Sequence, residues 1–213
     1  MAHDGPATGA GHTLDGTTRD GSARTPSARD ALMDACERLM GARGYHGVSI
    51  AALCERSGYP TGSLYHHFGS KAGLLTAVLE RGAGRVRDTL AEVDRLDGPA
   101  ADRIDAYFEA LISLVERYPD FHRLVMFVML EEGADHEVER VLAALRARVF
   151  YHTSRMMGRL LSEGGFAAPE PLVHELSDMA MALLMGWFTL ATPDVRGMVR
   201  RFRTMVTATL GPS

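Results

Sequence analysis

Hydroxyl, phenol, imidazole and ammonium groups are concentrated in one short stretch of this 213-residue chain. They belong to Ser49, Thr61, Ser63, Tyr65, His66 and Lys71, with Gly62 among them. Such groups hydrogen-bond to phosphate oxygens and base edges, and a glycine lets a backbone come close to a ligand. A helix beginning near Ser70 would also present free amides to an anion. The stretch therefore has the chemistry of a surface that contacts a nucleic acid.

The same stretch predicts two short helices joined by a tight turn. Ser49 is a good N-cap for the first helix, and Gly58 can adopt the left-handed conformation that ends it. The second begins after Pro60, and its Leu64 and Phe68 share one face at a spacing of four. A helix with one apolar and one polar face suits a helix-turn-helix, whose second helix enters the major groove. Spacing alone leaves open a plain helical hairpin within a bundle.

The sequence from Gly62 to Phe68, Gly-Ser-Leu-Tyr-His-His-Phe, followed by Ser70-Lys71, resembles the recognition helix of the tetracycline-repressor-like (TetR) regulators. The resemblance covers about residues 25–80 and includes Ala35, Leu39, Gly44-Tyr45 and Ser49. It implies a homodimeric transcription regulator, usually a repressor, that a small ligand releases from DNA. With the helix-turn-helix interpretation, the candidate DNA contacts are Ser49, Thr61, Gly62, Ser63, Tyr65, His66 and Lys71.

Three departures from the family pattern accompany this resemblance. Pro60 stands where many members have a serine cap, and Thr61 stands where related sequences with this proline often carry lysine. Ala72-Gly73 replaces the acidic residues that usually follow the lysine, which predicts a weaker start for the next helix.

The charge of the chain does not indicate nucleic-acid binding. The formal net charge is −4, and the charged residues from Thr25 to Glu80 cancel. The bases are Arg29, Arg38, Arg43, Arg56 and Lys71, and the acids are Asp30, Asp34, Glu37, Glu55 and Glu80. Because neutralisation of phosphates by Lys and Arg supplies much of DNA affinity, we expect moderate affinity and a modest dependence on salt.

Beyond this stretch the apolar periodicity predicts helices only, so we expect an all-α chain. We expect residues 1–24 to be a disordered tail, with Arg19 and Arg24 as an alternative DNA-contacting arm. Residues 25–70 would form a three-helix DNA-binding domain, and residues 71–213 a helical ligand-binding and dimerisation domain. The predicted helices run from about 27 to 43, 49 to 57, 61 to 68, 70 to 95, 101 to 118, 121 to 132, 135 to 163, 169 to 191 and 194 to 210. Gly82 and Gly84 in the fourth helix would be packing contacts or would let it bend.

The last two helices are more apolar than a chain terminus needs. Their large apolar residues are Met179, Met181, Leu184, Trp187, Phe188, Met198, Phe202, Met205 and Val206. The resemblance implies a four-helix dimer interface built from these two helices of each subunit, and twofold pairing is the commonest way to cover such a face. The alternative is burial within the monomer.

A cavity for a largely apolar effector is expected between the middle helices. The candidate wall residues are Tyr107, Phe108, Leu111, Phe127, Met129, Phe150, Met156, Met157 and Trp187, because methionine and aromatic side chains adapt to varied apolar shapes. His122, His152 or Arg155 would fix a polar group of the ligand. The same residues could instead be ordinary core.

Other classes of function find less support. Cys36 and Cys54 occupy apolar helical positions, which favours core residues in a reducing cytoplasm over a redox switch. The longest apolar run, Met179 to Ala191, is shorter than the ~20 residues that a membrane span needs. We expect no cofactor and no metal, although His136 or His174 with a nearby carboxylate is an alternative metal site. The rival functions are a helical-bundle enzyme and a helical ligand-binding or interaction protein without DNA binding.

Overall fold

The structure is a computed structural model that describes residues 27–130, 136–163, 165–166, 168–190 and 194–210. Within these ranges the chain forms α1 (Ala28–Arg43), α2 (Ile50–Ser57), α3 (Thr61–Phe68), α4 (Lys71–Val93), α5 (Ala100–Arg117), α6 (Pro119–Leu130), α7 (His136–Glu163), α8 (Glu170–Leu190) and α9 (Val195–Leu210). No strand occurs among the described residues, so the predicted all-α class is confirmed. The expected tail (1–24) and its two arginines lie outside the described residues.

Serine hydroxyl groups begin three of the first four helices. The Ser27, Ser49 and Ser70 hydroxyl oxygens accept hydrogen bonds from the amides of Asp30, Ala52 and Gly73, at 3.1, 3.1 and 2.9 Å. Pro60 precedes α3 without a side-chain cap, as its chemistry requires. These caps explain why the predicted helix starts lie close to the observed ones.

Gly73 has a role that the sequence did not reveal. A Cβ at position 73 would collide with the carbonyl oxygen of Phe68, the last residue of α3. The glycine therefore lets the end of α3 pack against the first turn of α4. The expected weakness of this helix start has a steric reason, because only glycine fits there.

One apolar core continues from the first three helices into the rest of the chain. Leu32 and Met40 of α1, Leu53 of α2 and Leu64 of α3 are fully buried, together with Leu75 of α4. The helix α1 packs against α4 and α6 as well as against α2 and α3. The helices of the predicted DNA-binding domain thus share buried contacts with the remainder of the chain.

Two glycines allow α6 to approach α1 and α4 closely. The Phe121 ring occupies the space beside Gly82 of α4, and the Asp120 carbonyl oxygen lies against Gly41 of α1. Gly82 is therefore a packing contact, which decides between the two alternatives for that residue.

The apolar residues of α6 are divided between a buried side and an exposed side. Phe121, Leu124 and Val128 face the core, whereas Phe127 and Leu130 are exposed. The helix α6 contacts α1, α4 and α5.

The remaining helices pack around α7. The helix α7 contacts α4, α5 and α8, and α9 contacts α5 and α8. The Tyr107 hydroxyl of α5 hydrogen-bonds to Thr153 of α7 inside the core, and Arg196 of α9 bridges Glu109 and Glu116 of α5 at 3.0 and 2.8 Å. None of the described helices is long and apolar enough to cross a lipid bilayer.

Candidate functional site

The helix α3 presents the predicted contact residues to solvent. Leu64 is fully buried beneath it, while Thr61, Gly62, Tyr65 and His66 are exposed and Ser63 is partly exposed. The Tyr65 side chain keeps 50% of its surface accessible, which is high for a tyrosine in a folded domain. The apolar and polar faces of this helix therefore lie as the sequence predicts.

The turn before α3 is short and well defined. Gly58 has φ 75° and ψ 13°, the left-handed conformation, and its amide donates to the Cys54 carbonyl oxygen at 2.9 Å. The Cys54 sulfur lies 3.6 Å from the Thr61 hydroxyl oxygen. This geometry fixes the direction of α3 relative to α2.

Two predicted contact residues have internal partners in the free protein. The Ser49 hydroxyl caps α2 while the residue stays exposed. The Lys71 ammonium donates to the Tyr45 carbonyl oxygen at 2.5 Å and lies 4.2 Å from the centroid of the Tyr45 ring. Lys71 thus ties the start of α4 to the loop after α1, a role that its position in the sequence did not indicate.

Two of the five acids from Thr25 to Glu80 are paired with arginines that follow this segment. Arg81 binds Asp34 at 2.7 Å and Glu37 at 2.6 Å, and Arg85 binds Glu37 at 2.9 Å. These pairs lie on the side of α1 that faces α4. The zero charge of residues 25–80 therefore includes two acids that are paired with arginines outside this segment, which leaves five bases against three acids.

A cavity of about 430 Å³ lies between α4, α5, α6, α7 and α8. Its lining is mostly aliphatic, aromatic and methionine side chains: Val86, Leu111, Leu114, Val115, Phe121, His122, Val125, Met129, Leu145, Arg146, Ala147, Val149, Phe150, Asp178, Met181, Ala182 and Met185. The volume falls in the range of sites that bind drug-sized molecules. The lining residues Arg146, Ala147, Asp178 and Ala182 are exposed, so the cavity opens between α7 and α8.

The predicted wall residues divide into several groups. Leu111, Met129 and Phe150 line the cavity. Tyr107, Phe108, Met156 and Met157 are buried elsewhere in the core, and Phe127 is exposed on α6. The side chain of Trp187 lies outside the described part of the structure.

Two of the predicted polar residues lie away from the cavity. His152 and Arg155 approach Asp94 at 3.6 and 3.7 Å, near the end of α4. His122 is the predicted polar residue that does line the cavity. Sequence reasoning missed Leu145, Val149 and Met181, which stand on recognisable apolar stripes. Periodicity identifies the inward face of a helix but not which inward residues meet an empty space.

His122 links the cavity to the arginines of α4. Burial, and then the nearby charge of Arg85, lowers the pKa of His122 to about 4, so its imidazole is neutral at pH 7. The Arg85 guanidinium lies 4.0 Å from the centroid of the Tyr118 ring and binds Glu37 of α1. Cavity, α6, α4 and α1 are therefore connected through adjoining residues.

Cys36 is a core residue, and the possible metal-ligating side chains of the described ranges are dispersed. Burial raises the pKa of Cys36 to about 12, and its sulfur lies 3.4 Å from the Met40 sulfur, as expected of a core residue. No three His, Cys, Asp or Glu side chains among the described residues lie close enough to hold a metal ion.

Comparison with known proteins agrees with this geometry. Residues 32–78, from α1 into α4, match the family described as "Bacterial regulatory proteins, tetR family". The HTH-type transcriptional regulator UidR of Escherichia coli K12 is 26% identical over 118 residues, which cover 54% of this chain and 56% of UidR. The chain thus spans about half the length of this curated relative.

Solved structures extend the likeness to most of the chain at the level of the fold. A transcriptional regulator from Saccharomonospora viridis, solved in complex with choline, superposes with a TM-score of 0.71 at 21% identity and covers 82% of this chain and 94% of its own. A TetR-family regulator from Agrobacterium tumefaciens gives a TM-score of 0.69 at 16% identity, with the same coverage of 82% and 94%. The chain thus has an N-terminal segment that matches the TetR family of bacterial regulatory proteins, and its described helices share the fold of a solved regulator of that family.

Proposed function

We propose that the chain is a ligand-responsive transcriptional repressor, active in the cytoplasm as a homodimer on palindromic operator DNA. The observation that carries this proposal is the orientation of α3, which buries Leu64 and exposes Thr61, Gly62, Tyr65 and His66. The buried and exposed sides agree with a recognition helix whose N-terminal residues reach base edges.

The contact residues have distinct roles in this proposal. Thr61, Ser63 and His66 read base edges, and Gly62 lets the backbone approach the groove. Tyr65, Ser49 and Lys71 contact phosphates, which positions the helix without specifying sequence. Lys71 contributes by holding the loop at Tyr45 as well as through its charge, since its ammonium already has a partner in the free protein.

The dimer would form through α8 and α9. Met179 of α8 and Met205 of α9 are about half exposed, at 48% and 51%, on helices that end the described chain. Exposed apolar side chains of this size favour coverage by a second subunit. A dimer would place its two recognition helices about 34–36 Å apart, one turn of DNA.

A small, largely apolar effector in the cavity would release the DNA. The cavity touches Phe121 and His122 of α6, and α6 contacts both α1 and α4. A ligand that shifts α6 would therefore change how α4 and α1 hold the recognition unit. A decisive shift, from about 1:99 to 99:1, needs roughly 5.5 kcal/mol of differential affinity between the two conformations.

Fluorescence anisotropy with a labelled duplex from upstream of the chain's own gene tests DNA binding. Tyr65→Ala should weaken binding to all sequences by about tenfold, whereas Thr61→Ala should change which sequence is preferred. Tyr151→Ala, which removes another exposed tyrosine from α7, serves as the matched control and should bind like the unaltered protein. Unchanged binding by the Tyr65→Ala protein would overturn the assignment of α3.

One observation favours a second candidate, a helical ligand-binding protein without DNA binding. Lys71, the only lysine in the chain, is held at Tyr45 rather than extended to solvent. This candidate predicts that, at low salt, the protein binds the upstream duplex weakly and binds a duplex of scrambled sequence equally well.

A further inference from the structure

The cavity has an apolar interior and a polar opening. Val86, Leu111 and Leu114 are buried at its inner wall, and Phe121 is buried beside them. Among the described lining residues, the side chains able to carry charge are His122, Arg146 and Asp178. Arg146 and Asp178 are exposed, and His122 is partly buried. A ligand in the cavity therefore meets hydrocarbon inside and charged groups at the entrance.

The interior does not favour a charged group of either sign. Moving an ion into such surroundings is strongly unfavourable unless an opposite charge receives it. A cation at the His122 side of the cavity would be repelled by the nearby positive charge of Arg85. An anion would find the Arg85 guanidinium already bound by the Glu37 carboxylate at 2.9 Å.

The entrance carries one charge of each sign. Arg146 of α7 and Asp178 of α8 both border the opening, and their charges are of opposite sign. Together they offer hydrogen-bond donors and acceptors without a net preference for an anionic or a cationic group. An uncharged polar group can bond to both.

The described lining contains flexible methionine side chains and is not an aromatic cage. Met129, Met181 and Met185 contribute flexible thioethers, and Phe121 and Phe150 are the phenyl rings among the described lining residues. Sites that hold quaternary ammonium ions surround them with aromatic faces, whereas methionine-rich walls suit apolar chains of varied shape.

We propose that the cavity binds an amphiphile without net charge, with its apolar body against the interior and its uncharged polar end between Arg146 and Asp178. This inference rests on the proposed function, because it takes the cavity to be the effector site. It adds the charge class and the orientation of the ligand.

Isothermal titration calorimetry of the full-length protein with three ten-carbon probes tests the charge class. The probes are decan-1-ol below its solubility limit, and decanoate and decyltrimethylammonium below their micelle concentrations, all at pH 7.5. Decan-1-ol should bind at least tenfold more tightly than either ion. Equal or tighter binding of an ion, or no binding of decan-1-ol, would overturn the inference.

A reciprocal pair of variants tests the orientation. Asp178→Asn leaves Arg146 alone at the entrance and should raise the affinity for decanoate about threefold or more. Arg146→Gln leaves Asp178 and should do the same for decyltrimethylammonium. Glu139→Gln, an exposed change on α7 outside the lining, is the control and should leave the affinities for both ions unchanged. If neither variant raises the affinity for its ion, the proposed position of the polar end is refuted.

The effector role is read separately by operator release. If decan-1-ol binds with the expected selectivity but leaves the protein on DNA, the charge class stands and the effector role of this site fails. If an ion is selected and releases the DNA, the proposed function stands and the charge class is wrong.

Discussion

The Phe121 ring of α6 lies in the space that a side chain on Gly82 of α4 would fill. A Cβ at position 82 would collide with three ring carbons of Phe121, which is itself buried. The ring also lines the cavity, so one aromatic residue contacts the ligand space and the helix that leads to the recognition unit.

Gly82→Ala should therefore destabilise the protein although alanine is the better helix former. Overpacking of a core costs about 1–3 kcal/mol, which exceeds the gain of roughly 1 kcal/mol from helix propensity. Gly84→Ala is the matched control, because its Cβ would meet only the Arg87 guanidinium at 3.6 Å. It should stabilise by up to about 1 kcal/mol. Urea unfolding of both variants measures the difference, and equal midpoints would contradict the packing.

Glu37→Gln should destabilise the junction of α1 and α4. Glu37 is only 8% exposed and binds both Arg81 and Arg85, so loss of its charge leaves two guanidinium groups facing each other. Removing one member of a buried pair costs about 3–5 kcal/mol, and because these arginines are partly exposed we expect about 2–3. Asp88→Asn breaks the exposed pair with Arg87 and should cost less than about 1 kcal/mol. A similar loss for both in thermal and urea unfolding would show that burial does not matter here.

His122 makes stability depend on pH in a defined window. Its pKa of about 4 in the folded protein lies below the ordinary value of 6.5, so the unfolded chain binds the proton more readily. Stability from this residue is fully present above pH 6.5, falls as the pH decreases and levels off near pH 4, for a loss of up to about 3 kcal/mol. His122→Gln should remove this contribution. The difference in unfolding free energy between the two proteins, measured from pH 7 to pH 4.5, should shrink with acid, and a constant difference would argue against a neutral buried imidazole.

Met205→Glu should convert the proposed dimer into monomers and abolish tight operator binding. A carboxylate on the apolar face of α9 would be buried without a partner in the interface. Leu96→Glu, a comparably exposed apolar residue in the α4–α5 loop, is the control and should stay dimeric. Light scattering after size exclusion measures the mass, and a monomeric unaltered protein would remove the basis for the proposed dimer.

The sequence predicted the helices and the recognition unit because local chemistry determines both. Ser27, Ser49 and Ser70 cap helices as their types indicate, and Gly58 ends α2 as expected. The exposed face of α3 followed from the spacing of Leu64 within it. These features depend on residues a few positions apart in the chain.

Features that depend on distant residues could not be predicted in this way. The tie from Lys71 to Tyr45, the pairing of Glu37 with Arg85 and the fit of Phe121 against Gly82 each join separate helices. The wall of the cavity could not be predicted for the same reason. Tyr107, Phe108 and Leu111 share the inward stripe of α5, but of these three residues Leu111 alone lines the cavity. Knowing which residues face inward does not reveal where packing leaves a gap.

Because the Phe68 carbonyl oxygen packs directly against Gly73, we expect α3 and the first turn of α4 to move together. The 23 residues of α4 span about 34 Å, so a tilt of about 5° around its far end would displace the recognition helix by roughly 3 Å. That distance is close to the ~3.4 Å rise between neighbouring bases along a DNA strand. In the proposed dimer, a rearrangement too small to notice beside the cavity would thus be magnified into a mismatch of about one base step in each half-site.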